Sequence, residues 1–132
     1  MVEIIEEIPQ DSNIFRAVTR KSWIRNGVSY YAFLLRNEKN ETELSVLLKA
    51  NCSKEICEAK LDDCFGEIIL KAEIFRNFDL EIKHTPVYEP KYIPYHASVY
   101  NLPANEGESE AEARNIAVEL ANKATIRPRP KE

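Results

Sequence analysis

One stretch near the C-terminus constrains this chain more than any other. From Ser109 onward, Ala113, Ile116, Ala117, Leu120, Ala121 and Ala124 recur at helical spacing and make one narrow apolar stripe. Most of these residues are alanines, so the predicted helix can sit close on whatever it covers. Ser109-Glu110-Ala111-Glu112 predicts a capping box, in which hydroxyl and carboxylate each satisfy an orphan amide. Acidic residues at its start, with Lys123 and Arg127 near its end, complement the helix dipole. A helix with a single apolar face needs an apolar partner surface, which the rest of the chain must supply.

That surface reads as a sheet. Segments 14–20 (IFRAVTR) and 30–36 (YYAFLLR) are rich in aromatic and branched residues and predict strands. The second is apolar on both faces, as a covered central strand would be. Turn chemistry at Asn26-Gly27 and at 37–40 (NEKN) links these two to 44–49 (LSVLLK), which predicts a meander. Ser53 offers an N-cap for a short helix over 54–63. Segments 67–75 (EIILKAEIF), 80–83 (LEIK) and 97–100 again read as strands. In the first, Ile68, Leu70, Ala72 and Ile74 share a face, and Glu67, Lys71 and Glu73 turn the other to solvent.

The expected architecture is therefore α+β, with one domain spanning 1–132. It has a mostly antiparallel twisted sheet of about five or six strands, a short mid-chain helix and the C-terminal amphipathic helix packed on the sheet. Residues 1–12 and 127–132 (RPRPKE) read as tails, the latter because alternating prolines cannot continue a helix.

Composition narrows the function classes. No apolar run approaches the roughly 20 residues needed to cross a bilayer, so no membrane partner is expected. The net charge of −4 argues against nucleic-acid binding by the surface as a whole. The acidic start MVEIIEEIPQD lacks the profile of a signal peptide. Cys52, Cys57 and Cys64, an odd number clustered within 13 residues, suit reduced thiols. Both features predict a cytoplasmic protein. The C-x4-C-x6-C spacing is not the tight pairing of structural zinc sites, and Cys57, Leu61 and Cys64 on one helical face read as core. No metal and no other cofactor is implied.

Two stretches carry candidate chemistry. Between Ser12 and Asn37 there is no acidic residue, whereas Arg16, Arg20, Lys21, Arg25 and Arg36 all occur, with Trp23 among them. Arginine interleaved with aromatics is the composition that grips phosphate or stacks on rings. Arg16, Arg20, Arg25 and Trp23 are thus candidate ligand-binding residues. The other stretch is 88–100 (YEPKYIPYHASVY), where Pro86, Pro90 and Pro94 enforce an extended course. Its Tyr92 and Tyr95 are candidate contact residues, since tyrosine packs its ring and keeps its hydroxyl wet. His96 is the candidate catalytic residue, with Ser45 and Ser98 as possible nucleophiles. His84 shares a face with Leu80 and Ile82 and reads as structural.

These features give three readings. The first is an interaction module that contacts a protein or a small anionic ligand. The alternative is an enzyme acting on a phosphate-bearing or nucleotide ligand, with Arg16 and His96 in one pocket. The third is single-stranded nucleic-acid binding through the basic 16–25 region. Nothing in the pattern fixes the oligomeric state.

Overall fold

The structure, a computed structural model, describes residues 3–36, 40–49, 65–90 and 92–128. Its strands are β1 (Asn13–Ala17), β2 (Leu44–Leu47), β3 (Gly66–Lys71), β4 (Glu81–His84), β5 (His96–Tyr100) and β6 (Thr125–Pro128). They form one six-stranded sheet in the order β4-β5-β2-β1-β3-β6, with every neighbouring pair antiparallel. The described residues also form two helices, α1 (Ala72–Arg76) and α2 (Glu110–Lys123), and 3-10 turns at Lys21–Trp23, Tyr30–Phe33 and Gly107–Ser109. The chain is a single α+β unit, as its pattern predicts.

Strand alternation sorts the two faces. Ile14, Arg16 and Val18 project to one side, together with Ile68 and Leu70, Leu44 and Val46, and Ala97 and Val99. This side carries the main core, closed by Trp23, Phe33, Phe75 and the stripe of α2. Ala113, Ala117, Leu120 and Ala121 are all buried there, with Ile116 and Ala124 packed at the margin. Among the described residues, the other side holds a small apolar cluster of Phe15 and Leu47, flanked by Ile69 and Ile93.

Several local expectations fail, each for a physical reason. Segment 30–36 is not a strand. Ser29 caps a 3-10 turn by accepting the Tyr31 amide, and the turn makes its most extensive contacts with α2. A short run that is apolar all round looks the same in sequence whether it is a covered strand or a buried turn of helix. No meander forms either, because β1 pairs directly with β2 and the first two 3-10 turns occupy the connection.

Segment 67–75 divides at Lys71. The first amides of α1 leave the sheet ladder, Ala72 donating to the Ser12 carbonyl and Glu73 to that of Gln10. Glu67, expected at solvent, is fully buried. The capping box is not made, because Ser109 already sits in helical conformation inside a 3-10 turn (Gly107–Ser109) and its hydroxyl caps nothing. A capping residue needs extended backbone for its side chain to reach the next amides.

Both expected tails need correction. Residues 3–12 are tied to the body by the bonds to α1, by Ile5 donating to His84 Nδ1 and by the Ile8 carbonyl accepting from Arg76. Arg127 and Pro128 belong to edge strand β6 rather than to a tail. The helix predicted over 54–63 and all three cysteines lie outside the described residues.

Candidate functional site

Arg16 sits on the central strand, inside the sheet's core face, and is 8% exposed. An arginine there is tolerated only if its donors are satisfied. Its Nε donates to the Ala32 carbonyl at 3.0 Å and its Nη1 to the Ser45 carbonyl at 2.8 Å. The guanidinium carbon lies 5.1 Å from the centroid of the Trp23 ring, a cation–π contact. Burial brings its pKa down to about 10, opposed by the charge of Glu41 and aided by that of Arg36. It remains protonated at neutral pH. Arg16 therefore pins the Tyr30–Phe33 turn and β2 to β1, and its donors serve the backbone.

Outward from Trp23 the surface opens. The Lys21–Trp23 turn is joined to the next by Ser29 donating to the Trp23 carbonyl at 2.8 Å. The loop between them reverses through Gly27, at φ +86°, a left-handed conformation that a side chain would strain. The two turns enclose a cleft of ≈ 570 Å³. Trp23, Leu34 and Leu35, all buried, form its apolar floor. Tyr31, Ser22, Ser29 and Asn105 form the walls, and Arg20 and Arg36 stand at its edge.

The two edge arginines differ. Arg36 is committed to Glu41, donating from its backbone amide at 2.7 Å and from its guanidinium at 2.8 Å. Burial pushes the Glu41 carboxyl up, but the hydrogen bonds and charge of Arg36, reinforced by Arg16, outweigh it and hold the pKa below the usual carboxylate value. Arg20 is exposed and has no carboxylate partner among the described residues. Glu41 thus answers the charges of Arg36 and Arg16, and Arg20 stands apart from that pair at the cleft edge.

No known protein family, characterised protein or solved structure matches this chain.

His96 does not join this cleft. Phe15 pairs with Leu47, and Leu47 with His96, so the imidazole lies on the Phe15 face, opposite Arg16. The expected pocket shared by Arg16 and His96 is not formed. The Nδ1 of His96 donates to the Thr85 carbonyl at 2.9 Å, which leaves the lone pair on Nε2. The Thr85 hydroxyl lies 3.1 Å from the same Nδ1 and 2.8 Å from the Ser98 hydroxyl. Burial lowers the His96 pKa, against the pull of the Thr85 carbonyl and of Glu43, with His84 lowering it further. Among the described residues, no nucleophile stands at its Nε2. Ser98 is buried at 2% exposure, and the exposed Ser45 stands opposite Ser98 rather than His96.

The remaining candidates scatter. Arg25 is exposed on the loop beyond Trp23 and does not line the cleft. Tyr95 is half-buried, stacked on His84 at 6.1 Å with Lys49 3.9 Å above its ring. Tyr92 stacks on Tyr88 at 5.7 Å near the tip of the β4–β5 hairpin, closed by the Val87–Ile93 bridge. His84 is structural, accepting from Ile5 at Nδ1 and donating from Nε2 to the Pro94 carbonyl.

Of the six ligand-binding candidates, then, Arg20 and Trp23 meet in this cleft. Tyr31, Ser22, Ser29 and Asn105 went unassigned in sequence. The first three lie within the acid-free stretch that flagged the arginines, whereas Asn105 arrives from the loop before α2, with no local signal.

A second hollow, of ≈ 820 Å³, lies by the N-terminal segment. It is lined by Glu6, Glu7, Asp79 and Glu81, and its Arg76 already donates to the Ile8 carbonyl. Among the described residues, no group of three His, Cys, Asp or Glu side chains could hold a metal ion, and no helix is long and apolar enough to cross a membrane.

Proposed function

We propose that the protein is a binding module for a small anionic ligand, held in the cleft between its first two 3-10 turns. One observation carries this reading. Arg20 stands at the rim of an apolar-floored cavity with no carboxylate partner among the described residues, while Arg16 keeps a buried positive charge behind the floor. A guanidinium left unpaired beside low-dielectric walls favours an incoming anion. The odd, clustered cysteines support the cytoplasm as the compartment.

Trp23 is the chain's single tryptophan and lines the cleft, so its emission reports occupancy directly. Titration with small anions is expected to change that emission saturably, with affinity falling as salt rises. Arg20→Ala should weaken the response about tenfold. If the variant responds like the wild type, or no anion produces a response, the reading fails.

A protein partner is supported by a separate observation: Tyr88 and Tyr92, 43% and 50% exposed, stack at the hairpin tip. Paired exposed tyrosines of this kind are common anchors at protein interfaces. Replacing both by alanine should release any partner captured by the wild type, and undiminished capture would remove this surface from consideration.

A further inference from the structure

Tyr31 is 60% exposed, far more than any other aromatic residue of the cleft region. Its ring stacks on that of Tyr30, with centroids 4.5 Å apart and planes 23° off parallel. One face of Tyr31 is therefore covered and its outer face is open. A flat aromatic surface held rigid from behind is a stacking platform. It stands in the same cavity wall as the hydroxyls of Ser22 and Ser29, with Arg20 at the edge and Trp23 and the leucines below.

Cavity size separates the classes of anion. A volume of ≈ 570 Å³ falls within the roughly 300–1,000 Å³ typical of organic-ligand pockets. An inorganic phosphate would occupy a small part of it and leave the apolar floor wet. A ligand that is anionic at one end and planar at the other would cover both the floor and the ring.

We infer that the cleft takes a phosphate ester carrying a planar ring, of the mononucleotide class, with its phosphate at Arg20 and its ring on the open face of Tyr31. Polar groups between the two ends suit the hydroxyls of a sugar: Ser22 is exposed and its hydroxyl is uncommitted among the described residues, and Ser29 uses only one acceptor position, on the Tyr31 amide. Arg36 adds positive potential without being the primary contact, because Glu41 already holds it. This inference rests on the anion-binding reading and adds the ring.

The experiment uses the full chain, with Trp23 emission excited at its red edge to avoid base absorbance. Adenosine 5′-monophosphate, ribose 5-phosphate, adenosine and inorganic phosphate are titrated in parallel. The monophosphate nucleotide is expected to bind at least about tenfold more tightly than any of the other three, since each end contributes on the order of a stacking or charge-assisted contact. Arg20→Ala should weaken the nucleotide about tenfold and leave adenosine unchanged. Tyr31→Ala should weaken nucleotide and adenosine but not ribose 5-phosphate. Both residues are exposed, so neither change threatens the fold. Equal binding of ribose 5-phosphate and nucleotide would overturn the ring assignment while leaving the anion-binding reading intact. Adenosine binding as tightly as the nucleotide would overturn the phosphate assignment. Silence from every phosphate-bearing probe would overturn both.

Discussion

Arg16 and Arg20 stand four residues apart on one stretch of chain, and the structure gives them opposite roles. Arg16 lies inside the sheet's core face, its donors turned to the carbonyls of Ala32 and Ser45. Arg20 lies just past the end of β1, where the backbone has left the ladder and the side chain reaches solvent beside the cleft. In sequence both are basic residues in an acid-free run. The contrast shows that a charge becomes available for a ligand only where the fold leaves its donors unspent.

The largest effect expected from this contrast is on stability at Arg16. Arg16→Ala removes two charge-assisted bonds, leaves two carbonyls unsatisfied and empties space under Trp23. About 3–5 kcal/mol should be lost, measured by urea unfolding. Arg16→Lys should recover only part, because an ammonium cannot reproduce the planar fork. A loss below about 0.5 kcal/mol, the range of ordinary surface changes, would place Arg16 in the same class as Arg20 and erase the comparison.

Next in size, Ser29→Ala removes the cap of the Tyr30–Phe33 turn, which forms one wall of the cleft. It should cost about 0.5–1 kcal/mol in the same assay. A greater loss of ligand response than of stability would show that the turn's position matters to the cleft.

His96 sharpens the comparison from the opposite face. Its folded-state pKa is lowered, chiefly by burial, so the unfolded chain takes up the proton first as pH falls. The stability it contributes is complete above the unfolded value near 6.5 and declines as pH drops through it toward the folded value. His96→Gln should flatten that part of the stability–pH curve without altering ligand response in the cleft. A cleft response that followed His96 would reconnect the two faces that the strand register separates.

The smallest stability change belongs to Arg20→Ala, which should stay within about 0.5 kcal/mol of wild type while nucleotide affinity falls about tenfold. That dissociation of stability from binding is the counterpart of the Arg16 result.

Much of this fold was legible before the coordinates. The α2 stripe from Ala113 to Ala124 follows from helical spacing, and Ala97 and Val99 point inward as alternation requires. The misread segments share one cause. YYAFLLR and EIILKAEIF are short apolar runs whose fate depends on distant partners: α2 for the first, and the carbonyls of Ser12 and Gln10 for the second. Local pattern does not carry that information. For the site, residue types were legible and placement was not. Arg20 and Trp23 were identified, but separating Arg16 from His96 required the β1–β2–β5 register, which a single sequence does not specify.

Backbone amide spectra recorded while adenosine 5′-monophosphate is titrated in test the central claim most directly. The account predicts concentration-dependent shifts at Arg20, Ser22, Trp23, Ser29, Tyr31 and Asn105, absent at Thr85 and His96, and moved to about tenfold higher concentration in Arg20→Ala. Shifts centred on His96 and Thr85, or a cleft pattern whose concentration dependence is unchanged without Arg20, would contradict it.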